Sequence, residues 1–326
     1  MNTDPVILDD LDRGLVHALQ IDGRAPLRTL GEVLGVSENT VARRYRRLRS
    51  AGVLRVVGAF NGARLGYSAW TIRLRCTPDA AGPLARALAA RPDTSYVHLL
   101  SGGTEISCSA QTRSGEEGDA LLLHRLPRTG RVTSVSAHLL LDHSALPNSW
   151  AGPALLSGEQ TAALGPPPVD DAEDPEGVTL EEGDRALFDA LSRDGRASYA
   201  ELAAATGWSD STVRRRLLAL RRAGVLAFLV DIPPAALGFR AEARLWMSVR
   251  PSRLAAVASA MAEHPEVSLV AMTTGPTNLL AAVNCRDGRH LARYLTERIA
   301  SLDAIRAMET APVIRTVKRA GAPLPI

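Results

Sequence analysis

The chain has 326 residues, of which 46% are hydrophobic and 22% charged, with a net charge of +3. This length predicts several domains, and no apolar run reaches the ~18 residues of a membrane-spanning helix. Its acidic N-terminus lacks the apolar segment of a secretory signal, so we expect a cytoplasmic protein with no membrane partner. The three cysteines show no metal-ligand spacing, and neither a metal nor a cofactor is predicted.

Each half of the chain begins with three short predicted helices. Apolar residues follow helical spacing over 12–20 and 184–192. The sequence DGRA breaks both patterns at Gly23 and Gly195. A second helix is predicted over 27–34 and 198–205, and it ends before the glycines at positions 35 and 207.

A third, longer helix follows in each half, with Ser37 and Ser209 as predicted N-caps. Each has one apolar stripe at i, i+4, i+7 spacing: Val41, Tyr45 and Leu48, then Val213, Leu217 and Leu220. Arginines occupy the other faces. This order of elements, a short helix, a turn and a capped helix with an arginine face, indicates a helix-turn-helix. Its third helix would enter the DNA major groove. The predicted DNA contacts are Ser37, Asn39, Thr40, Arg43, Arg44, Arg47, Ser209, Ser211, Thr212, Arg214, Arg215 and Arg216.

These two segments are copies of one another. Residues 207–226 (GWSDSTVRRRLLALRRAGVL) match residues 35–54 (GVSENTVARRYRRLRSAGVL) at 12 of 20 positions, 172 residues apart. Nine arginines lie in 12–55 and eight in 184–226, whereas 142–183 carries nine acids and no Lys or Arg. This segregation favours a polyanion such as double-stranded DNA as the partner of the basic segments.

The second part of each half changes to period-two alternation. Strands are predicted at 67–75, 94–101, 104–112 and 131–141, with helices at 79–91 and 116–126. The matching half has strands at 239–249, 267–273, 277–285 and 304–317, with helices at 251–264 and 287–300. The order βαββαβ is ferredoxin-like. The predicted fold class is α+β: two repeats, each with a winged-helix-like helix-turn-helix followed by a ferredoxin-like domain.

The predicted domain bounds follow from the repeat. They are a first helix-turn-helix at 9–58, a first ferredoxin-like domain at 65–141, a connector rich in proline and acids at 142–181, a second helix-turn-helix at 182–230, and a second ferredoxin-like domain at 237–320. The connector is expected to be mostly irregular and semi-rigid near residues 166–168, where three prolines follow one another.

The pattern D-R-x-[LI]-x-x-L-x-x-D-G-R, then S-x-x-T-V-x-R-R, then Leu-Gly before βαββαβ, resembles the Lrp/AsnC family of transcriptional regulators. The resemblance covers both repeats. It implies DNA binding, dimerisation and further oligomerisation through the sheet domain, and a small effector such as an amino acid. The effector is implied near a T-G-x-x-[DN] turn, and the corresponding residues are Ser101, Gly102, Thr104 and Glu105, then Thr274, Gly275, Thr277 and Asn278. Glu105 departs from the pattern, and a plain hairpin turn is the alternative at both places.

Two alternatives to a regulator remain open. An architectural DNA-binding protein would share the helices but respond to no effector. A siroheme decarboxylase would share the two-repeat fold, but such enzymes carry motifs of the H-x-Y-x-R kind, which SYVHLLSGG (95–103) and SLVAMTTGP (268–276) lack. His98 is more consistent with a packed or surface histidine than with a base, so no enzyme is predicted. We expect the repeats to pair as a dimer within one chain, with an asymmetric operator.

Overall fold

The computed structural model describes residues 7–113, 131–145, 150, 155–165 and 179–320. They form two compact units that do not coincide with the two repeats. The first unit lies within Met1–Leu65 and Pro153–Leu237, and the second within Gly66–Gly152 and Gly238–Ile326. Each unit therefore combines one part of repeat 1 with the matching part of repeat 2: the helix-turn-helix segments in the first, and the sheet segments in the second.

The first unit contains three helices from each repeat. They are Asp10–Ile21, Leu27–Leu34 and Glu38–Ser50 in repeat 1, and Glu182–Arg193, Tyr199–Thr206 and Asp210–Arg222 in repeat 2. Ser37 and Ser209 are the predicted N-caps, and their hydroxyls accept from the amides of Thr40 and Thr212 at 3.2 Å. Both predicted apolar stripes are buried. We call Glu38–Ser50 and Asp210–Arg222 recognition helices 1 and 2.

Each recognition helix leads into a strand that pairs with its counterpart. Strand β1 (Arg55–Phe60) runs antiparallel to β6 (Leu226–Asp231). A 3₁₀ turn follows each strand, and the glycine after it has φ of 72° at Gly66 and 94° at Gly238. This left-handed conformation strongly favours glycine, which explains why Leu-Gly recurs in both repeats.

The connector contains a short helix, Gly158–Ala163, that the sequence analysis did not predict. Ser157 and Gln160 form a capping box at its start. The Gln160 side-chain amide also donates to the Val33 carbonyl at 2.7 Å. Just before the helix, the amides of Leu155 and Leu156 both donate to Nδ1 of His17 at 3.2 Å. This part of the connector is thus bound to the first helix-turn-helix; the triple proline lies outside the described residues.

The His17 contact predicts that the connector is released by acid. Nδ1 can accept only while the ring is neutral, and burial lowers the pKa of His17 from 6.5. Docking should therefore be complete above about pH 6.5 and be lost as the pH falls through the lowered pKa. Hydrogen exchange at the Leu155 and Leu156 amides, corrected for intrinsic rates, should speed up in acid. His17→Asn, which keeps an acceptor that does not titrate, should abolish this pH dependence; an unchanged response in that variant would refute the assignment.

The second unit contains two four-stranded sheets. The strands of repeat 1 are β2 (Tyr67–Cys76), β3 (Thr94–Leu100), β4 (Glu105–Arg113) and β5 (Val132–Ala145), and its helix is Pro78–Ala89. The strands of repeat 2 are β7 (Ala241–Val249), β8 (Val267–Thr273), β9 (Leu279–Cys285) and β10 (Ile305–Lys318), and its helices are Leu254–Ala262 and Gly288–Arg293. The last helix continues as a π-helix, Tyr294–Ile299. The predicted helix at 116–126 lies outside the described residues.

Strands β5 and β10 join the two sheets into a closed barrel. Both strands have 14 residues, and β5 is longer than the strand predicted at 131–141. One part of β5 pairs with β2 of its own repeat and the other with β8, while β10 pairs with β7 and then with β3. The resulting order is β10-β3-β4-β2-β5-β8-β9-β7. Each repeat thus completes the hydrogen bonding of an edge strand that would otherwise be exposed in the other.

Apolar cores lie beneath the helices of each sheet, and a third cluster of Leu100, Trp246, Leu280 and Ala311 packs between the repeats. All three cysteines are buried and free, and burial raises the pKa of Cys108 to about 12. Within the described residues, no helix is long and apolar enough to cross a bilayer. The same residues contain no group of His, Cys, Asp and Glu side chains suited to a metal ion.

Candidate nucleic-acid interface and effector turns

The recognition helices present a polar face at their N-terminal turns. Asn39 and Arg43 are exposed on helix 1, and Arg215, the counterpart of Arg43, is exposed on helix 2. These three side chains have no hydrogen-bond or ion-pair partner among the described residues. The neighbouring Arg214 is also exposed, and its guanidinium carbon lies 4.6 Å from the centroid of the Tyr199 ring. Two charged guanidinium groups at equivalent positions are therefore available to a ligand.

The hydroxyl groups at the helix starts are arranged in small networks. Ser37 and Thr40 oxygens lie 2.9 Å apart, and Ser209 is 2.9 Å from both Ser211 and Thr212. All of these groups lie in the first turn, where free backbone N–H groups and the helix dipole favour an anion such as a phosphate.

Three arginines predicted to contact DNA have partners inside the protein. In repeat 1, Arg44 and Arg47 both pair with the fully buried carboxylate of Asp12, and Arg44 also pairs with Asp9. In repeat 2, Arg216 pairs with the buried Asp184 in the same way, with a Nε–Oδ1 distance of 2.9 Å. These ion pairs were not predicted from the sequence, because the carboxylates lie on a different helix, 32 to 35 residues away.

The DGR sequences, which break the helical pattern in both repeats, join the two helix-turn-helix segments. Arg24 donates to the carbonyls of Gly195 at 2.8 Å and Ala197 at 2.9 Å. Arg196 donates reciprocally to Gly23 at 2.7 Å and Ala25 at 2.9 Å. Burial lowers the pKa of both guanidinium groups. The shared DGRA of the two repeats was the available signal, but it did not reveal where the arginine would bind.

Further reciprocal contacts surround this arginine pair. Arg49 pairs with Asp194 at 2.6 Å, and its counterpart Arg221 pairs with Asp22 at 2.8 Å. The glycine of each DGR sequence is needed for close approach. A Cβ on Gly195 would lie 2.8 Å from the backbone carbonyl carbon of Val57, closer than such atoms pack. The contacts therefore follow an approximate two-fold relation between the repeats.

The second predicted effector turn is hydrogen-bonded to both repeats. Thr274 exchanges two bonds with the backbone of Leu139, both at 3.0 Å. A Cβ on Gly275 would overlap the His138 ring, at 2.3 Å from Nδ1. The Thr277 carbonyl accepts from the Thr273 hydroxyl at 2.8 Å. The Asn278 side chain bonds both backbone groups of Val249, at 2.8 and 2.9 Å. The structure thus uses Asn278 to connect two strand ends.

The first predicted effector turn differs in its charge. Thr104 donates to the Ser101 carbonyl at 3.1 Å, and Gly102 has φ of 75°. Glu105 is buried and pairs with Arg73. Arg73 also pairs with Glu309 of repeat 2 and lies over the Trp246 ring, with 4.0 Å from its guanidinium carbon to the ring centroid. The Glu105 carboxylate is therefore occupied by an ion pair within the protein.

A buried histidine lies in the same unit. His98 is 2% exposed, with Nδ1 at 3.0 Å from the Thr316 hydroxyl and Nε2 at 2.6 Å from Arg244. Because arginine only donates, Nε2 must accept and Nδ1 must carry the proton. Burial and the positive charge of Arg244 lower the pKa of His98 well below its usual value. The ring is a neutral, packed histidine rather than an accessible base.

Comparison with known proteins gives the family. The model of the AsnC-type helix-turn-helix domain matches residues 8–49 and 180–221, and that of the Lrp/AsnC ligand binding domain matches residues 242–323. An uncharacterised HTH-type transcriptional regulator of Pyrococcus abyssi is 34% identical over 145 residues, which cover 44% of this chain and 91% of the relative. The HTH-type transcriptional regulator FL11 of Pyrococcus horikoshii is 31% identical over 142 residues, 43% of this chain and 93% of the relative.

A solved structure matches the fold over both repeats. The siroheme decarboxylase NirDL aligns with a TM-score of 0.63 over 97% of this chain and 94% of its own, at 15% identity. At this identity the similarity establishes the fold alone. The two matches to the helix-turn-helix model, the ligand-binding domain and the named relatives agree on one assignment. The chain belongs to the Lrp/AsnC family of transcriptional regulators.

Proposed function

We propose that the chain is a sequence-specific DNA-binding regulator that acts as a dimer within one polypeptide and responds to a small effector such as an amino acid. The observation that carries the proposal is the pairing of two capped helix-turn-helix segments, each with an exposed arginine at the same position, Arg43 and Arg215. The reciprocal bonds of Arg24 and Arg196 support the paired arrangement.

The proposed DNA contacts fall into two groups. Arg43, Arg214 and Arg215 are exposed and have no carboxylate partner in the described part of the chain, so they are suited to guanine edges or phosphates. Polar groups at the helix starts are suited to backbone phosphates and neighbouring bases: Ser37, Asn39, Thr40, Ser209, Ser211 and Thr212. Arg44, Arg47 and Arg216 are assigned mainly to positioning, because their carboxylate partners fix each recognition helix against the first helix of its domain.

The effector is proposed to bind at the turn Thr274–Asn278 rather than at Ser101–Glu105. The second turn bonds to Leu139 of the other repeat, so a ligand there would affect both repeats. At the first turn, Glu105 and Arg73 already neutralise one another. A ligand that binds one arrangement better than the other shifts DNA affinity by that difference, typically about 5- to 150-fold.

Selection of genomic DNA fragments with the purified chain, followed by mobility shifts with and without each amino acid, tests this function. We expect enrichment of defined fragments, an affinity that falls steeply with salt, and at least one amino acid that shifts it. Specific binding that no small molecule alters would favour an architectural protein. Failure to enrich any fragment over bulk DNA would contradict the DNA-binding function itself.

An enzymatic role is not part of the proposal, although the fold resembles that of siroheme decarboxylase NirDL. One solved NirDL structure contains an iron-uroporphyrin III analogue, which offers a direct probe. His98 is enclosed by Thr316 and Arg244, so it is not positioned to exchange protons with a ligand. Titration with iron-uroporphyrin III should leave the absorption spectrum of the tetrapyrrole unchanged. Stoichiometric binding with loss of carbon dioxide from siroheme would overturn the non-enzymatic assignment.

A further inference from the structure

We infer that the two recognition helices read different half-sites, with Asn39 specifying an adenine in one half and Leu218 contacting a thymine methyl in the other. This inference rests on the proposed DNA-binding function. Its basis is a set of outward-facing differences between two helices that are otherwise positioned by the same contacts.

The two helices share one frame. Each begins at a serine cap and is anchored by three buried apolar residues at the same spacing. Arg44 and Arg216 occupy equivalent positions and pair with the equivalent buried carboxylates Asp12 and Asp184. The start, depth and rotation of the two helices therefore correspond. Equivalent exposed positions should therefore face DNA in the same way, and where their side chains differ, the two helices can contact different bases.

The first such difference lies in the first turn. Asn39 is exposed, and its amide has no hydrogen-bond partner among the residues described. A free carboxamide can accept from N6 and donate to N7 of adenine with two hydrogen bonds. Its counterpart Ser211 has one hydroxyl, which lies 2.9 Å from the Ser209 hydroxyl. Serine accepts or donates to several bases and distinguishes them poorly.

The second difference lies two turns further along. Arg46 is exposed on helix 1, and among the described residues it bonds only to Ala42 of its own helix, whereas its counterpart Leu218 is 41% exposed. An exposed leucine on the same helix as Arg214 and Arg215 can contact the thymine methyl in the major groove. Helix 1 places its free cations one turn apart, at 43 and 46. Helix 2 places two of its three exposed arginines side by side, at 214 and 215, and the third, Arg222, lies at the end of the helix.

Both helices belong to one chain, so every molecule carries one copy of each recognition helix. The operator should therefore be asymmetric and should fix the direction in which the chain lies on DNA. Three DNA duplexes with the same half-site spacing test this. One is the operator enriched by selection, and the other two are palindromes, one built from each of its half-sites. We expect the natural operator to bind about 5- to 150-fold tighter than the palindrome that lacks the Asn39 half, the range of one bidentate base contact. It should also bind tighter than the other palindrome, in which Leu218 loses its thymine methyl.

Substitutions in each recognition helix show which half-site that helix reads. Asn39→Ser should lose discrimination at one adenine in one half-site and leave the other unchanged. A triple variant of helix 2 (Arg214→Ala, Ser211→Asn and Leu218→Arg), which copies helix 1 at these three positions, should transfer the preference to the palindrome of the Asn39 half. Equal affinity for all three duplexes would overturn the inference while leaving DNA binding intact. A chain that selects no sequence over bulk DNA would overturn the proposed function and this inference together.

Discussion

Replacing Arg43 or Arg215 by alanine is expected to weaken specific DNA binding by about 1–3 kcal/mol each, or roughly 5- to 150-fold. Both side chains are exposed in the early turns of a recognition helix, where base edges are reached. Unlike Arg44 and Arg216, neither is occupied by a carboxylate within the described structure. Their loss should leave the stability of the protein unchanged, since surface substitutions away from buried contacts cost little.

Fluorescence anisotropy over a range of salt concentrations separates the two ways in which these arginines can act. If Arg43 contacts a phosphate, Arg43→Ala should lower the salt slope by about one. If it contacts guanine, Arg43→Lys should also lose discrimination, because lysine cannot reproduce the guanidinium fork. Arg293→Ala is the matched control: it removes the same charge from an exposed helix of the other compact unit. Unchanged affinity in both Arg43→Ala and Arg215→Ala would contradict the assignment.

Replacing Arg24 or Arg196 by alanine is expected to separate the two helix-turn-helix segments. Each guanidinium makes two hydrogen bonds to carbonyls of the other repeat, and removing it leaves those buried acceptors unpaired. Such a loss costs about 1–3 kcal/mol for each unpaired acceptor, or about 2–6 kcal/mol for two. The pairing of β1 with β6 should loosen, because the DGR turn of repeat 2 bonds directly to β1, from the Gly195 amide to the Val56 carbonyl at 2.8 Å.

Hydrogen exchange of the β1 and β6 amides measures this loosening directly. The Arg24→Ala/Arg196→Ala variant should be less destabilised than the sum of the single variants, because one substitution already breaks the shared contact. Arg193→Ala, at an exposed position just before the DGR turn, is the control. Two single variants with native exchange rates would show that the reciprocal bonds do not hold the segments together.

The sequence was most informative where contacts are local. Caps and apolar stripes depend on residues within one or two turns, so Ser37, Ser209 and both stripes were identified correctly. Arginine partners depend on tertiary packing. The face of Arg44 and Arg216 was predicted, but the carboxylates of Asp12 and Asp184 on another helix were not. The DGR turn was placed correctly, but local sequence patterns could not identify the carbonyls that its arginine binds, 171 to 173 residues away.

The same limit applies to the sheets. Alternation predicted the order βαββαβ, but it carries no information on which strand lies beside the last one. The extension of β5 to Ala145 and its pairing with β8 appear only once both repeats are folded. Asn278 shows the same limit. Its place in a turn motif predicts a ligand contact, which stays a prediction, but it gave no sign that the amide is bonded to the backbone of Val249.

The pairing of β1 with β6 has a consequence for gene control at low copy number. A regulator assembled from separate subunits dissociates when it is dilute, so its occupancy of DNA rises with roughly the square of its concentration. Here the two strands belong to one chain and meet at an effective concentration set by the connector, typically millimolar for a flexible tether. Dilution cannot separate them. Where a single chain binds its operator, occupancy should then rise in simple proportion to the number of chains, even when a cell contains only a few.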